Sequence, residues 1–142
     1  MNYKVCFAML ALYLGIFISC STTKNKGAYT LYGHTWELDY ISGPRIAFEG
    51  LFPDQKPQIT FDRTTQRAVG TDSCNGYSAP FKSKRNHLSF SDPYPTTMRY
   101  CGEGEKQFIS MMQKVNAYSF SPDGKLNLKL DDVTILRFKK IL

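Results

Sequence analysis

Residues 118–139 read YSFSPDGKLNLKLDDVTILRFK, and this stretch decides the fold class. Leu126, Leu128 and Leu130 alternate with Asn127 and Lys129, and Leu136 and Phe138 alternate with Arg137 and Lys139. Period-two alternation sends apolar side chains to one face of an extended strand and polar ones to the other. Between Phe120 and Leu126, Ser121-Pro122-Asp123-Gly124 has the residue types of a tight turn, because Pro presets φ and Gly accepts a positive one. Asp131-Asp132 turns the chain again. Three short strands joined this way form an antiparallel meander with one buried face.

The same rhythm runs upstream. Trp36, Leu38 and Tyr40 alternate with Glu37 and Asp39, and Ile59 and Phe61 with Gln58, Thr60 and Asp62. A polar turn at 62–66 leads into a returning strand at 67–72, and Leu88-Ser89-Phe90 is a further short strand. One segment departs from it. Phe108, Met111, Met112 and Val115 follow i, i+3, i+4, i+7, which predicts a helix over 103–116 with one apolar face. Glu103 and Glu105 fall in its first turn, where carboxylates meet the positive end of the helix dipole. The Met pair reads as core packing, with an adaptable binding surface as the alternative. The expectation is a mainly β (α+β) domain: a small antiparallel, barrel-like curled sheet of about seven or eight strands, with one helix packed over an open end or seam. Residues 43–57 are read as a loop with a short strand. Their apolar side chains Phe48, Leu51 and Phe52 either complete the core or form a lip over a binding cavity.

The other end of the chain concerns address. Lys4 precedes an apolar run from Val5 to Ile18, followed by small Ser19 and then Cys20. A transmembrane helix needs about 20 apolar residues, so a run this short with a charged start reads as a secretory signal. Phe17-Ile18-Ser19-Cys20 resembles a lipobox, which makes residues 1–19 a cleaved lipoprotein signal peptide and Cys20 the lipidated residue. Residues 20–30 are small and polar, suited to a tether, and 31–142 form the domain. Such a chain is anchored in the bacterial cell envelope through lipid on Cys20, and Ser21 at the next position points to the outer membrane.

The net charge of +6 is spread along the chain, with one dense cluster at Lys82-Ser83-Lys84-Arg85. A nucleic-acid role asks for a basic stripe with stacking aromatics and a known module, and neither is present. Cys6 leaves with the signal peptide and Cys20 takes lipid, so Cys74 and Cys101 remain as an even pair in an oxidising compartment. A structural disulfide closing a loop of about 28 residues is worth ~3.5 kcal/mol in the chain-entropy model. The competing reading is a redox pair, with Cys101 just before a helix N-terminus. No Cys-x-x-Cys supports it. His34 and His87 belong to no recognisable motif, and no clustered ligands point to a metal. No catalytic set, metal or cofactor is therefore expected.

The order of motifs resembles the META domain family of HslJ-like bacterial envelope lipoproteins. Trp36-Glu37-Leu38 opens the series, followed by Pro57-Gln58-Ile59-Thr60-Phe61-Asp62. Val69-Gly70-Thr71-Asp72-Ser73-Cys74-Asn75-Gly76-Tyr77 is similar to the family's Gly-x-x-Gly-Cys-Asn element, with Ser73 where Gly is usual. Thr97-Met98-Arg99-Tyr100-Cys101 is similar to its Thr-x-Met-Ala-Cys element, with Arg99 and Tyr100 in place of Met and Ala. The resemblance implies a small barrel-like fold with one helix and matches both cysteines to family positions. It associates the chain with heat induction and the envelope stress response, without an established activity. Trp36, Gly70, Asn75, Gly76 and Thr97 are then motif residues with structural roles, Asn75 as a hydrogen-bonder in a turn where Asn and Gly tolerate the left-handed backbone region. The function expected is non-enzymatic binding of an envelope protein, peptide or lipid. The alternatives are an inhibitor-like module that plugs a hydrolase with a loop, and a thiol-disulfide protein.

Overall fold

The computed structural model describes residues 29–97, 99–100 and 102–142. The signal peptide, Cys20 and most of the expected tether lie outside the described residues, as do Met98 and Cys101. Nine strands occur among the described residues: β1 (Thr35–Ile41), β2 (Gln58–Asp62), β3 (Arg67–Thr71), β4 (Gly76–Lys84), β5 (His87–Phe90), β6 (Tyr94–Pro95), β7 (Ala117–Phe120), β8 (Leu126–Leu130) and β9 (Val133–Lys140). Two helices join them, α1 (Phe48–Leu51) and α2 (Glu103–Lys114). The sheet runs β3-β2-β1-β9-β8-β7-β5-β4, and β4 pairs back onto β3. Eight strands thus close an antiparallel barrel. The two-residue β6 extends the ladder along the first half of β4.

Closure removes the exposed edges that an open sheet would offer to other chains. The ladder is thinnest where β5 meets β7, which share only the His87–Ala117 pair. Helix α2 connects these strands and fills the opening beside them. Phe108 and Met112 are fully buried, and the Phe108 ring lies 5.6 Å from that of Tyr77 on β4 and 6.4 Å from that of Phe138 on β9. The partner of Met112 in the helical pattern, Met111, is only partly buried against the core.

Alternation inside the strands works as the sequence implies. In β1, Trp36 and Leu38 point inward and Glu37 outward. A bulge at Asp39 shifts the register against β9 between Leu38 and Tyr40, and this puts Ile41 back inside. The displaced Asp39 carboxylate is held on the outer face by Arg137 and Lys125, each at 2.8 Å. Trp36, Leu38, Ile59, Tyr77, Leu88, Leu126, Leu128, Leu136 and Phe138 fill the interior, and the indole N–H of Trp36 donates to the Leu31 carbonyl at 3.1 Å. Fully burying a side chain of this size stabilises by about 1.5–3 kcal/mol. These side chains make the lumen a packed core.

The segment expected to be a loop with a short strand is a loop with one helical turn, α1. Its residues are not extended because Leu51 and Phe52 turn inward under α2, where they are 6% and 3% exposed. Gly104 in the first turn of α2 makes this possible: a Cβ there would overlap the Leu51 carbonyl oxygen. No helix among the described residues is long and apolar enough to cross a membrane.

Candidate functional site

In an up-and-down barrel the connections alternate between two ends. The β3–β4 turn, the loop carrying α1, the segment from β5 to α2, and the β8–β9 turn share one end, here called the base. The motif residues meet there. Asp72 opens the β3–β4 turn fully buried, and its Oδ1 accepts the backbone N–H groups of Cys74 at 3.2 Å and Asn75 at 2.8 Å. The turn closes when the Asp72 N–H donates to the Asn75 carbonyl at 2.9 Å. The residue in the left-handed region is Ser73, with φ of 106°, and not Asn75 or Gly76 as the sequence reading had it. Gly, which the motif resembled here carries at this position, takes such a φ without a steric cost.

Asn75, 1% exposed, uses its side-chain amide to hold the far loop. Its Nδ2 donates to the Arg99 carbonyl at 2.7 Å and to Glu105 Oε1 at 3.1 Å. Its Oδ1 accepts the Thr97 hydroxyl at 2.8 Å and the Arg99 N–H at 3.1 Å. One amide thereby ties the β3–β4 turn, the loop at 97–99 and the first turn of α2. Two glycines let neighbouring segments approach, Gly76 the far loop and Gly70 the adjacent strand β2. A Cβ on Gly76 would stand 2.7 Å from Thr96 Oγ1, and one on Gly70 would overlap the Gln58 carbonyl. The Tyr77 hydroxyl, from the strand paired with Gly70, reaches that same Gln58 carbonyl at 3.0 Å. Burial, and then the charge of Asp72, push the Tyr77 phenol well above its ordinary pKa, so it stays a neutral donor.

Outside this network lies a cleft of about 330 Å³, lined by Leu51, Pro53, Asp54, Gln55, Ser73, Cys74, Arg99 and Tyr100. Arg99 Nε donates to Cys74 Sγ at 3.3 Å, and Cys74 is disulfide-bonded. Cys101 lies outside the described residues. Tyr100 is 79% exposed at the rim. Of the three side chains considered for a lip, Leu51 reaches the cleft floor, Phe52 is core, and Phe48 is half-buried with its ring 5.3 Å from that of Phe52. The apolar lip therefore belongs mainly to the interior. Arg99, Tyr100 and Asp54 give the cleft its polar rim.

Sequence reasoning did not place Arg99 and Tyr100 at a cleft, although their departure from the family pattern was the available signal. It noted Glu105 for the helix dipole and missed its bond to Asn75. The histidines fall elsewhere. His34 sits edge-on to Trp36 at 5.8 Å at the opposite end of the barrel, and His87 is exposed on β5. No group of three His, Cys, Asp or Glu side chains placed to hold a metal occurs among the described residues.

The fold is similar to that in an NMR structure of a protein from Burkholderia xenovorans, with a TM-score of 0.59 and 20% identity over 78% of this chain and 83% of that one. That likeness concerns the fold alone. No curated protein matches the chain. The META domain model matches residues 29–141, which spans the whole barrel from Tyr29, ahead of β1, to the end of β9, and the chain belongs to the META domain family.

Proposed function

We propose that the protein is an outer-envelope lipoprotein, anchored through Cys20, whose META barrel is a non-catalytic binding module. The observation that carries the binding reading is the contrast between a lumen filled by its own side chains and a rimmed cleft at the base. A ligand inside the barrel would have to displace the core. A protein or peptide segment would instead meet the surface formed by Arg99, Tyr100 and Asp54. Tyr and Arg are the residue types that dominate the energetics of protein interfaces, because each combines a large contact area with directed hydrogen bonding. The envelope address rests on Lys4, the short apolar run and the small residue before Cys20.

The exposed Tyr100 on a loop pinned by Asn75 also favours an inhibitor-like reading, in which this rigid loop enters a hydrolase cleft. A pre-organised loop loses little conformational freedom on binding. One experiment separates the two. Mature protein and its Arg99→Ala/Tyr100→Ala variant are used to capture envelope proteins, and both are assayed against purified envelope hydrolases. Capture lost in the variant without any hydrolase inhibited supports an assembly or stress partner, and inhibition lost in the variant supports the inhibitor. Equal behaviour of the two proteins in every arm refutes a site at this cleft. Unchanged membrane fractionation and mature mass in Cys20→Ala would sink the anchor.

A further inference from the structure

The two ends of the barrel carry opposite charge. The connections at the end opposite the base, with the strand ends beside them, hold Arg63, Lys84, Arg85, Lys125, Lys139 and Lys140 against Glu37, Asp39, Asp62 and Asp123. Lys125 is paired with Asp39 and Lys139 with Glu37, but Arg63, Lys84, Arg85 and Lys140 enter no salt bridge among the described residues. The base connections, with α2, carry more acids than bases, including Asp54, Asp72, Asp92, Asp131 and Asp132. Exposed apolar groups accompany the cations: Tyr29 is 45% and Leu142 78% exposed. Beside them a cleft of about 290 Å³ runs between Tyr29, His34, Lys125 and Lys140.

The chain enters the barrel at this same end, at Tyr29. Cys20 stands eight intervening residues before it, a distance of at most ~32 Å of chain. Those eight residues include Lys24 and Lys26. We infer that the basic end is a membrane-facing surface that rests on anionic phospholipid headgroups, leaving the cleft at the base directed away from the bilayer. The occupant is a lipid surface because charge, apolar side chains and chain entry coincide on one face. Cations attract the anionic leaflet over about a Debye length, and exposed apolar groups partition into the interface. The inference shares with the proposed function only the membrane address, and it is testable without the lipid.

The test uses the chain from Ser21 onward, which contains the complete barrel and no acylation site. It is co-sedimented with vesicles of phosphatidylcholine alone and of phosphatidylcholine with 30 mol% phosphatidylglycerol, at about 50 and 300 mM salt. Binding to the anionic vesicles only, and weakened by salt, is expected. The variant Lys84→Gln/Arg85→Asn/Lys140→Gln should bind roughly 100-fold more weakly, since each basic side chain near the surface is worth about fivefold. Lys56→Gln/Lys106→Gln/Lys114→Gln, with the same loss of charge at the base, should bind like the parent. Equal losses in the two variants would reduce the effect to net charge and overturn the inference. So would equal binding to neutral vesicles, or complete displacement by millimolar inorganic phosphate, which would mark a small anion site. Circular dichroism of both variants checks that the barrel is intact.

Discussion

The Asn75 amide and the Glu105 carboxylate meet at 3.1 Å, joining the turn after β3 to the first turn of α2 across 30 residues of sequence. Because Asn75 also holds the Arg99 backbone from both sides, its replacement removes four part-buried hydrogen bonds at once. Each is worth about 0.5–1.5 kcal/mol. Asn75→Ala should therefore destabilise the domain by about 3 kcal/mol in urea unfolding, and Asn75→Asp should do no better, since its carboxylate faces Glu105 and the Arg99 carbonyl. A loss under 1 kcal/mol for Asn75→Ala would show that the loop is held by other means.

Ser73 occupies a backbone region that a residue with a Cβ enters at a cost. Ser73→Gly relieves this and should raise stability by about 1 kcal/mol, offset in part by the greater freedom of Gly in the unfolded chain. Thermal melting of the variant checks it. A lower melting temperature would mean that the Ser73 side chain contributes more than the strain costs.

Phe48 and Phe52 touch one another but differ in burial. Phe52→Ser should cost about 3–5 kcal/mol, the range for removing a buried aromatic ring. Phe48→Ser should cost less than half as much and leave the barrel folded. If both variants melt like the parent, the segment at 43–57 is not part of the core in solution.

Asp62 caps the β2–β3 turn by accepting the backbone N–H groups of Thr65 and Thr64, and these bonds lower its pKa from the ordinary 3.8. A carboxylate depressed in the folded state stabilises fully above the unfolded value. That contribution fades as the pH falls through the lower folded value. Between pH 6 and pH 2 the stability difference between the parent and Asp62→Asn should accordingly shrink. A difference that stays constant over that interval would show that Asp62 does not titrate between the two states as described.

Period-two alternation made the strands of β1, β2, β8 and β9 legible, because each buries one face against a core that the sequence itself supplies. The helix was legible for the matching reason, with Phe108 and Met112 one turn apart. Residues 43–57 were misread because the spacing of Phe48, Leu51 and Phe52 fits neither period, and their conformation is set by Gly104 on a distant helix. The network around Asn75 was legible as a structural turn but not in its connections. Side-chain hydrogen bonds to partners 22–30 residues away leave no periodic trace. The split of charge between the ends was invisible in a chain whose charges look evenly scattered, since only the alternation of turns sorts them.

The pairing of β1 with β9 has a consequence in time. Asp39 and Arg137 are 98 residues apart, and the strand that enters first finds its neighbour in the strand that arrives last. A chain threaded through an export channel from its N-terminus has no closed barrel until residue 140 has emerged. Before then β1 and β8 are both unpaired edges, and the loop-closure entropy of nearly the whole domain is still to be overcome. On the proposed route to the envelope, this topology keeps the chain in a form that can be threaded during transit, and makes folding an event that follows passage.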